Sequence, residues 1–418
     1  MIVLRLGWRN LWRNPRRSLI TISAVACGFA FLITLIGLMV GLAQQMLSNG
    51  TELLLGDAQL HHRDYLPKRS LYDTLSPETT GGLEDWMNQI SRRFELDHLS
   101  PRVYSFGLLS TGEHSAGAQL MGVDPELEVE LTSFLDGVAE GLTRSARDHP
   151  LLLGDVLAQE LEATVGSEIA VVTQSADGSL GNDLFHVSGI LHTGLRHLDR
   201  SLAVFPLRDL QELLVLDPDQ IHEIAMSIED PMAADQFADR LNDSSLLPTD
   251  SVVQSWGDLA PQLRDYIGLA QGMYGFLIVI IALFVAVGVL NTMMMAVFER
   301  TREIGLVNAL GMRPWPIVTS ILLESFFLGF LGLGAGMGLG AWAMAYLTTR
   351  GLDLTRWTGE LSMLGTRMDP VLKAVWGWDY VLWSAGGLLA STLLAAFFPA
   401  LRAARLDPVE TLAAPVEG

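Results

Sequence analysis

The chain has 418 residues, half of them hydrophobic, and a formal net charge of −20. Such a combination indicates a protein divided between a membrane and water, because one environment rarely accommodates both features. The acidic excess argues against a nucleic-acid partner, which requires basic surface patches. We therefore expect a membrane protein with a soluble part and no nucleic-acid binding.

The charge is concentrated in one segment, residues 47–265. It carries 13 basic and 37 acidic residues, a net charge of −24, whereas the remainder has 14 basic and 10 acidic residues, a net charge of +4. All nine histidines lie in the same segment, and the single cysteine, Cys27, lies outside it. The pattern predicts a water-facing domain without disulfides, inserted between apolar runs.

The N-terminal residues 1–17 combine five arginines with Leu4, Trp8, Leu11 and Trp12 on the opposite helical face, which predicts an amphipathic elbow helix. By the positive-inside rule it lies in the cytoplasm. The next 34 residues, 18–51, contain no charge and would form roughly 50 Å of helix, against roughly 30 Å of hydrocarbon. We predict a first span and stalk at 18–46. A cleaved signal peptide ending near Cys27 is disfavoured, because the apolar run continues well beyond that cysteine.

The segment 47–265 shows alternating strand and helix patterns that predict an α+β domain. The motif Asp177-Gly178 predicts a hairpin turn. Predicted helices lie at 84–94, 154–163, 207–215 and 231–242, and predicted strands at 101–110, 117–123, 168–174, 183–190, 201–205 and 221–228.

The next apolar run, 266–298, predicts a stalk and second span, and it is followed by a short amphipathic segment at 299–315. We expect a surface helix there, with four charged residues facing water and apolar residues on the other side. Gly311 is a helix stop, and Pro314 and Pro316 begin the next element. The charged residues are Glu299, Arg300, Arg302 and Glu303; the apolar ones are Ile304, Val307 and Leu310.

A third span is predicted at 316–349. Gly332, Gly336 and Gly340 form a repeated small-residue face, which suits packing within the chain and a dimer interface about equally well. Glu324 is the only charged residue in this span. An intramembrane carboxylate suggests a functional site, but a residue snorkelling to the membrane surface is the favoured interpretation.

The segment 350–379 is predicted to be an extracytoplasmic loop. Trp376, Trp378, Tyr380 and Trp383 form an aromatic belt at the start of a fourth span, 380–401. The residues 402–418 are expected to form a cytoplasmic tail. The fold class is therefore membrane α-helical, with four transmembrane helices and a large α+β extracytoplasmic domain between the first two.

Several motifs resemble one family. Glu299-Arg-Thr-Arg-Glu-Ile-Gly305, followed by Ala309-Leu-Gly311, resembles the cytoplasmic coupling helix of FtsX/MacB/LolC–LolE-type ABC transporter permeases. The run Trp8–Arg17 is similar to the family's N-terminal elbow, and Phe398–Leu412 is similar to its C-terminal signature. Gly122-Val-Asp-Pro125 and Phe185–Ile190 with Thr193, Gly194 and Asp199 resemble its extracytoplasmic domain, most closely that of the LolC/LolE lipoprotein-releasing permeases.

The resemblance implies a MacB-like periplasmic core domain and an inner-membrane permease with both termini in the cytoplasm. It implies pairing with a second permease copy or paralogue and with a separate P-loop ATPase, and a lipoprotein or a periplasmic adaptor as a further partner. The ATPase-coupling residues would be Glu299, Arg300, Arg302, Glu303, Ile304, Gly305, Leu310 and Gly311. Asn308 departs from the arginine often found there, and the 174–183 hairpin is shorter than the loop with which LolC-type subunits recruit a carrier.

Other chemistry lacks support in the sequence. A P-loop needs a lysine after glycine, and neither Lys68 nor Lys373 follows one, so ATP hydrolysis is expected in a separate chain. His192, His197 and Asp199 could be drawn as metal ligands, but polar loop residues are the favoured interpretation. We predict no catalytic, cofactor-binding or metal-binding residues. The leading hypothesis is a permease subunit for lipoprotein release or export; the alternative is an FtsX-like signal transmitter that controls an extracytoplasmic partner without transport.

Overall fold

The computed structural model describes residue 9 and residues 11–77, 81–143, 149–310, 312–353, 362–363, 366–367 and 371–406. The chain forms two compact units. The membrane unit comprises the described residues within 1–43, 267–357 and 371–418, and the α+β unit those within 44–266 and 358–370. Each unit has its own hydrophobic core.

The helices, in chain order, are α1 (Pro15–Gly50), α2 (Gly82–Phe94), α3 (Pro125–Leu131), α4 (Glu140–Thr143), α5 (Asp155–Glu160), α6 (Arg196–Ser201), α7 (Leu207–Leu213), α8 (Ala234–Asn242), α9 (Trp256–Leu259), α10 (Pro261–Glu299), α11 (Thr301–Ala309), α12 (Pro314–Thr349) and α13 (Trp378–Ala404). A π-helical turn, Thr51–Leu55, follows α1, and a 3-10 turn, Pro231–Ala233, precedes α8.

The strands are β1 (Ala58–His62), β2 (Leu99–Ser110), β3 (Ser115–Val123), β4 (Pro150–Gly154), β5 (Glu168–Gln174), β6 (Leu180–Leu191), β7 (Leu202–Pro206), β8 (Glu223–Met226) and β9 (Ser251–Ser255), followed by four two-residue strands, β10 (Leu352–Asp353), β11 (Ser362–Met363), β12 (Thr366–Arg367) and β13 (Val371–Leu372).

Four helices in the described part of the chain are long and apolar enough to cross a membrane: α1, α10, α12 and α13. Their shared core includes Phe29 of α1, Val289 of α10, Leu328 of α12 and Leu388 of α13, all of them buried. The predicted fold class, four spans with an α+β domain between the first two, is confirmed.

The glycine face of α12 packs within the chain. A Cβ added at Gly336 would lie 2.6 Å from the carbonyl oxygen of Ala26, and one at Gly332 would lie 2.6 Å from the Cβ of Val25. A Cβ at Gly340 would overlap the side chain of Ile33. The three glycines therefore let α12 approach α1 closely, and this geometry selects packing within the chain over a dimer interface.

The α+β unit is built on a nine-stranded sheet in the order β3-β7-β4-β6-β5-β2-β8-β1-β9, and β3 also pairs with β2. The extra pairing closes six strands into a ring. The 12-residue strand β2 makes this possible: Leu99–Arg102 pairs with β8, whereas Gly107–Ser110 pairs with β5 along the same edge. One long strand thus belongs to both the closed ring and the extension formed by β8, β1 and β9.

Most elements predicted for this unit are present with shifted ends, and the hairpin at Asp177-Gly178 is confirmed, with φ of +83° at Gly178. Sequence patterns missed β1, β4 and β9. In β4, Pro150–Gly154, every residue is buried, so the strand lacks the alternation that reveals a half-buried strand. The helix α3 was missed as well, although Asp124 caps it by accepting hydrogen bonds from the backbone N–H groups of Glu126 and Leu127.

A fully buried ion cluster lies in this unit between β2, β8 and α3. Arg102 Nη2 lies 2.6 Å from Glu128 Oε1, and Arg102 Nη1 lies 3.2 Å from Glu223 Oε1; the three side chains have no exposed surface. Ser100 and Thr132 donate further hydrogen bonds to Glu128, and Tyr104 donates one to Glu223. Burial raises the pKa of Glu128, but the positive charge and hydrogen bonds of Arg102 outweigh that effect and hold the pKa below its ordinary value.

His222 lies beside this cluster in one fixed tautomer. Its Nδ1 accepts a hydrogen bond from the Tyr104 backbone N–H at 3.1 Å, so its Nε2 donates to the carbonyl oxygen of Leu71, also at 3.1 Å. Burial lowers the pKa of His222, because the charged ring would lose its hydration. The neutral ring is therefore part of the folded structure.

Candidate functional site

The candidate site is the short helix α11 and the charged residues that surround it in the membrane unit. The helix α10 ends at Glu299, Arg300 lies between the helices, and α11 begins at Thr301. A new helix starts at Pro314, where the preceding residue, Arg313, has extended backbone torsions. The chain thus turns back between two spans through a nine-residue helix.

A buried ion pair anchors this turn to α12. Arg300 Nη1 lies 3.0 Å from Glu324 Oε2, and the two side chains are only 10% and 4% exposed. The second oxygen of Glu324 lies 3.7 Å from Arg17 Nη2 of α1. Glu324 therefore sits between two arginines from different parts of the chain, which offset its charge in an apolar environment.

Further polar contacts join the N-terminal residues to the same turn. Arg17 Nη1 lies 2.8 Å from Glu299 Oε2, and the Asn14 amide donates to the same oxygen at 2.9 Å. Arg13 Nη1 lies 3.0 Å from Glu303 Oε2 at the surface. Residues more than 280 positions apart in sequence thus form one ionic cluster, which we define as Arg17, Glu299, Arg300 and Glu324.

Two expectations about these residues are wrong. Arg300 is buried and does not face water, because its guanidinium group pairs with Glu324 of α12. Glu324 is likewise buried, at 3% exposure, and is held by cations within the unit rather than snorkelling to the surface. Glu299, Arg302 and Glu303 are exposed as expected.

The apolar side of α11 also differs from expectation. Ile304 and Val307 are half-buried, and Ile304 packs against Val297 and Ile317. Leu310, which was expected on the same inner face, is 81% exposed, because α11 has ended before it. Gly305 is buried, and Gly311 lies outside the described residues.

Leu310 belongs to an exposed apolar surface around the turn. Leu306 is 54% exposed, and Met312 and Trp315 are also exposed. These four large apolar side chains are exposed beside the charged residues Arg302 and Glu303. We call Leu306, Leu310, Met312 and Trp315 the apolar tip.

A cavity of about 320 Å³ lies behind α11 within the membrane unit. Its walls are mainly apolar, from α10, α11 and α12, while Arg300, Glu303, Ser320 and Glu324 supply its polar side chains. On the side toward α13, the Asn308 amide donates to the carbonyl oxygen of Leu406 at 3.4 Å, so α11 also contacts the segment after α13.

Two of the three residues considered as metal ligands come together in the fold. His192 and Asp199 lie close together in the α+β unit, whereas His197 is exposed and not part of their group. The third member is Asp155, which sequence analysis missed because it lies 37 residues before His192. Arg17 was also missed as a cluster member, since its only sequence signal was the general basic character of the N-terminus.

Comparison with known proteins identifies both parts of the chain. Residues 18–244 match the MacB-like periplasmic core domain, and residues 275–408 match the FtsX-like permease C-terminal domain. The first match alone covers more than half of the chain.

Curated relatives extend over nearly the whole length. The lipoprotein-releasing system transmembrane protein LolC of Xylella fastidiosa is 24% identical, over 94% of this chain and 93% of that protein. LolE of Haemophilus influenzae is 25% identical, over 97% and 98%. The macrolide export ATP-binding/permease protein MacB of Marinobacter nauticus is 25% identical, over 98% of this chain and 60% of that protein. The chain therefore belongs to the family of ABC transporter permeases that combine a MacB-like periplasmic core domain with an FtsX-like permease domain.

Proposed function

We propose that this chain couples ATP hydrolysis by a separate ATPase subunit to the movement of an extracytoplasmic substrate, through lipoprotein release or export. The observation that carries the proposal is α11, a short helix that presents an exposed apolar tip while the ionic cluster ties its start to α1, α10 and α12. The substrate class rests on the LolC and LolE relatives, whose names describe lipoprotein-releasing systems.

The apolar tip is the proposed docking surface for the ATPase. Leu310 and Trp315, at 81% and 70% exposure, would supply apolar area at the centre of such a contact. Arg302 and Glu303 would form its charged rim, where complementary charges favour the correct partner.

The ionic cluster would transmit the movement of α11. Because Arg300 and Glu324 are desolvated, separating them without replacement is costly, so displacement of the turn would carry α12 along with it. Arg17 would extend the same constraint to α1 through Glu299 and Glu324. In the chain, α1 precedes and α10 follows the nine strands β1–β9 of the α+β unit, so these two helices are the proposed route of the movement.

The proposal includes an orientation and an assembly. The N-terminal arginines support an orientation with both termini in the cytoplasm of an inner-membrane protein, in which α11 would lie on the ATPase side. A second permease copy or paralogue completes the transporter, and a lipoprotein or a periplasmic adaptor is the extracytoplasmic partner. The chain itself would not be an enzyme.

The first test is purification of the tagged chain from its native membrane in mild detergent, with identification of every associated protein. A P-loop ATPase together with acylated lipoproteins is the expected result. An ATPase with a periplasmic adaptor would redirect the proposal to export, and an ATPase with an extracytoplasmic enzyme but no cargo would favour signal transmission. Absence of any ATPase would refute the coupling role.

A second test separates docking from transmission. Leu310→Asp is expected to abolish ATPase co-purification, because it places a charge at the centre of the apolar tip. Glu324→Gln is expected to retain the ATPase but to uncouple its activity from substrate release, since Arg17 and Arg300 lose their shared carboxylate.

The matched control is Asp379→Asn, which removes an exposed carboxylate of the same unit outside the cluster. It should leave docking and coupling unchanged. Partial recovery of coupling by the exchange Arg300→Glu with Glu324→Arg would support the ion pair itself as the transmitting contact. Full coupling in Glu324→Gln would contradict the proposed transmission.

A further inference from the structure

Three potential metal ligands meet at one end of the ring of strands in the α+β unit. Asp155 begins α5 directly after β4, His192 directly follows β6, and Asp199 lies in α6. The strands β4 and β6 are parallel, with Gly154 opposite Leu191. Asp155 and His192 are therefore the next pair in register, which fixes their proximity through the sheet.

Their ligand atoms are close enough for one cation. His192 Nδ1 lies 2.7 Å from Asp155 Oδ2 and 3.9 Å from Asp199 Oδ2. All three potential ligand atoms lie within 4.8 Å of one another. Two ligand atoms that each lie about 2.1 Å from a tetrahedral zinc ion are about 3.4 Å apart. The distances of 2.7 and 3.9 Å from His192 Nδ1 lie on either side of this spacing.

Asp199 is positioned before any ligand arrives. Its side chain is only 3% exposed. Its Oδ1 accepts hydrogen bonds from the Thr193 backbone N–H at 2.8 Å and from the Thr193 hydroxyl at 2.7 Å. These bonds hold one oxygen and leave the other directed toward His192, as in sites where neighbouring groups orient a metal ligand.

A second, independent feature is an unsatisfied oxygen. Asp155 Oδ1 is buried and has no hydrogen-bond partner among the described residues. A buried carboxylate oxygen without a donor is costly, and a cation is one group that satisfies it. A cation bound by both oxygens of Asp155 would remove that cost.

The backbone around the three residues is closely packed. A Cβ at Gly154 would overlap the backbone carbonyl of Asp199, so the start of α5 lies directly against α6. This close approach places Asp155 and Asp199 on adjoining helices. His192 is 64% exposed and gives solvent access to the ligand atoms.

We propose that Asp155, His192 and Asp199 bind a divalent transition-metal ion, with Zn²⁺ as the best-fitting ion. Imidazole nitrogen and carboxylate oxygens are ligands that zinc accepts, and His192, Asp199 and the two oxygens of Asp155 supply the four donor atoms of a zinc site. The ion replaces the proton between His192 and Asp155 and links the start of α5, the residue after β6 and α6. This site goes beyond the transport role and does not depend on it.

The test uses the full chain in detergent micelles, purified without a polyhistidine tag and stripped with a chelator. Equilibrium dialysis against buffered Zn²⁺, followed by elemental analysis, measures uptake per chain, and Co²⁺ absorption reports the coordination geometry. We expect one Zn²⁺ per wild-type chain and visible Co²⁺ bands. His192→Ala and Asp155→Asn should each weaken binding by about 100-fold, because loss of an outer-shell partner alone costs about 10- to 100-fold.

The matched control is His197→Ala, which removes an exposed histidine five positions away and outside the group. It should bind like wild type, and its Co²⁺ spectrum should be unchanged. Equal Zn²⁺ uptake by wild type and His192→Ala would show binding elsewhere and overturn the proposal. Absence of uptake by the wild-type chain would overturn it as well.

Discussion

The contact of Gly336 with α1 makes a quantitative prediction for the substitution Gly336→Ala. The added Cβ would lie 2.6 Å from the Ala26 carbonyl oxygen and 3.0 Å from its Cα, whereas ordinary contacts begin at 3.4 Å. The helices must therefore separate by about 0.8 Å, because a backbone oxygen cannot rotate away as a side chain would. Overpacking of this kind costs about 1–3 kcal/mol.

Gly338→Ala is the matched control, since no heavy atom lies within 4 Å of the Cβ it would add. Both variants gain the same intrinsic helix propensity, so their difference isolates the contact with α1. The assay is reversible unfolding in mixed micelles of increasing SDS fraction, followed by tryptophan fluorescence. We expect Gly336→Ala to unfold at a lower SDS fraction than both wild type and Gly338→Ala. Equal midpoints for the two variants would refute the close packing of α12 on α1.

Two further predictions concern the α+β unit. Arg102→Ala should lower the free energy of unfolding by about 3–5 kcal/mol, because it leaves two carboxylates buried without a cation. The control Arg200→Ala breaks an exposed ion pair of similar length with Glu160. It should lower the free energy of unfolding by at most about 1 kcal/mol. Thermal unfolding of the full chain measures both, and equal losses would contradict the role of burial. Stability should also fall as the pH drops below 6.5, because the unfolded chain then binds a proton that neutral His222 resists. His222→Gln, which can accept from Tyr104 and donate to Leu71, should reduce this pH dependence; an unchanged pH profile would count against the fixed neutral ring.

Sequence patterns located the spans and many elements of the soluble domain because those features are local. Charge-free runs such as 266–298 report burial in lipid directly, and Asp177-Gly178 marks a turn by its own backbone preference. The glycine face of α12 was also visible, but its partner was not, since small residues fit an internal helix and a second chain equally well. In the structure the partner of this glycine face is α1, since Gly332, Gly336 and Gly340 face Val25, Ala26 and Ile33.

In the candidate site, too, local sequence patterns did not predict which residues meet. Helical periodicity assigned Arg300 to the water-facing side, but the break between α10 and α11 directs it toward Glu324. Leu310 was assigned to the inner face because the apolar spacing of Ile304 and Val307 continues to Leu310, although α11 ends at Ala309. Periodicity describes a continuing helix, and it fails where the helix ends.

The sequence by itself determined the four membrane spans, the acidic soluble domain and the position of the turn between the second and third spans. Each of these features follows from composition or from neighbouring residues. Only the tertiary structure decided the contacts between distant residues. Arg17 meets Glu299 across 282 positions, and Asp155 joins His192 through the register of two parallel strands. Such contacts depend on how whole helices and strands pack, which no local pattern encodes.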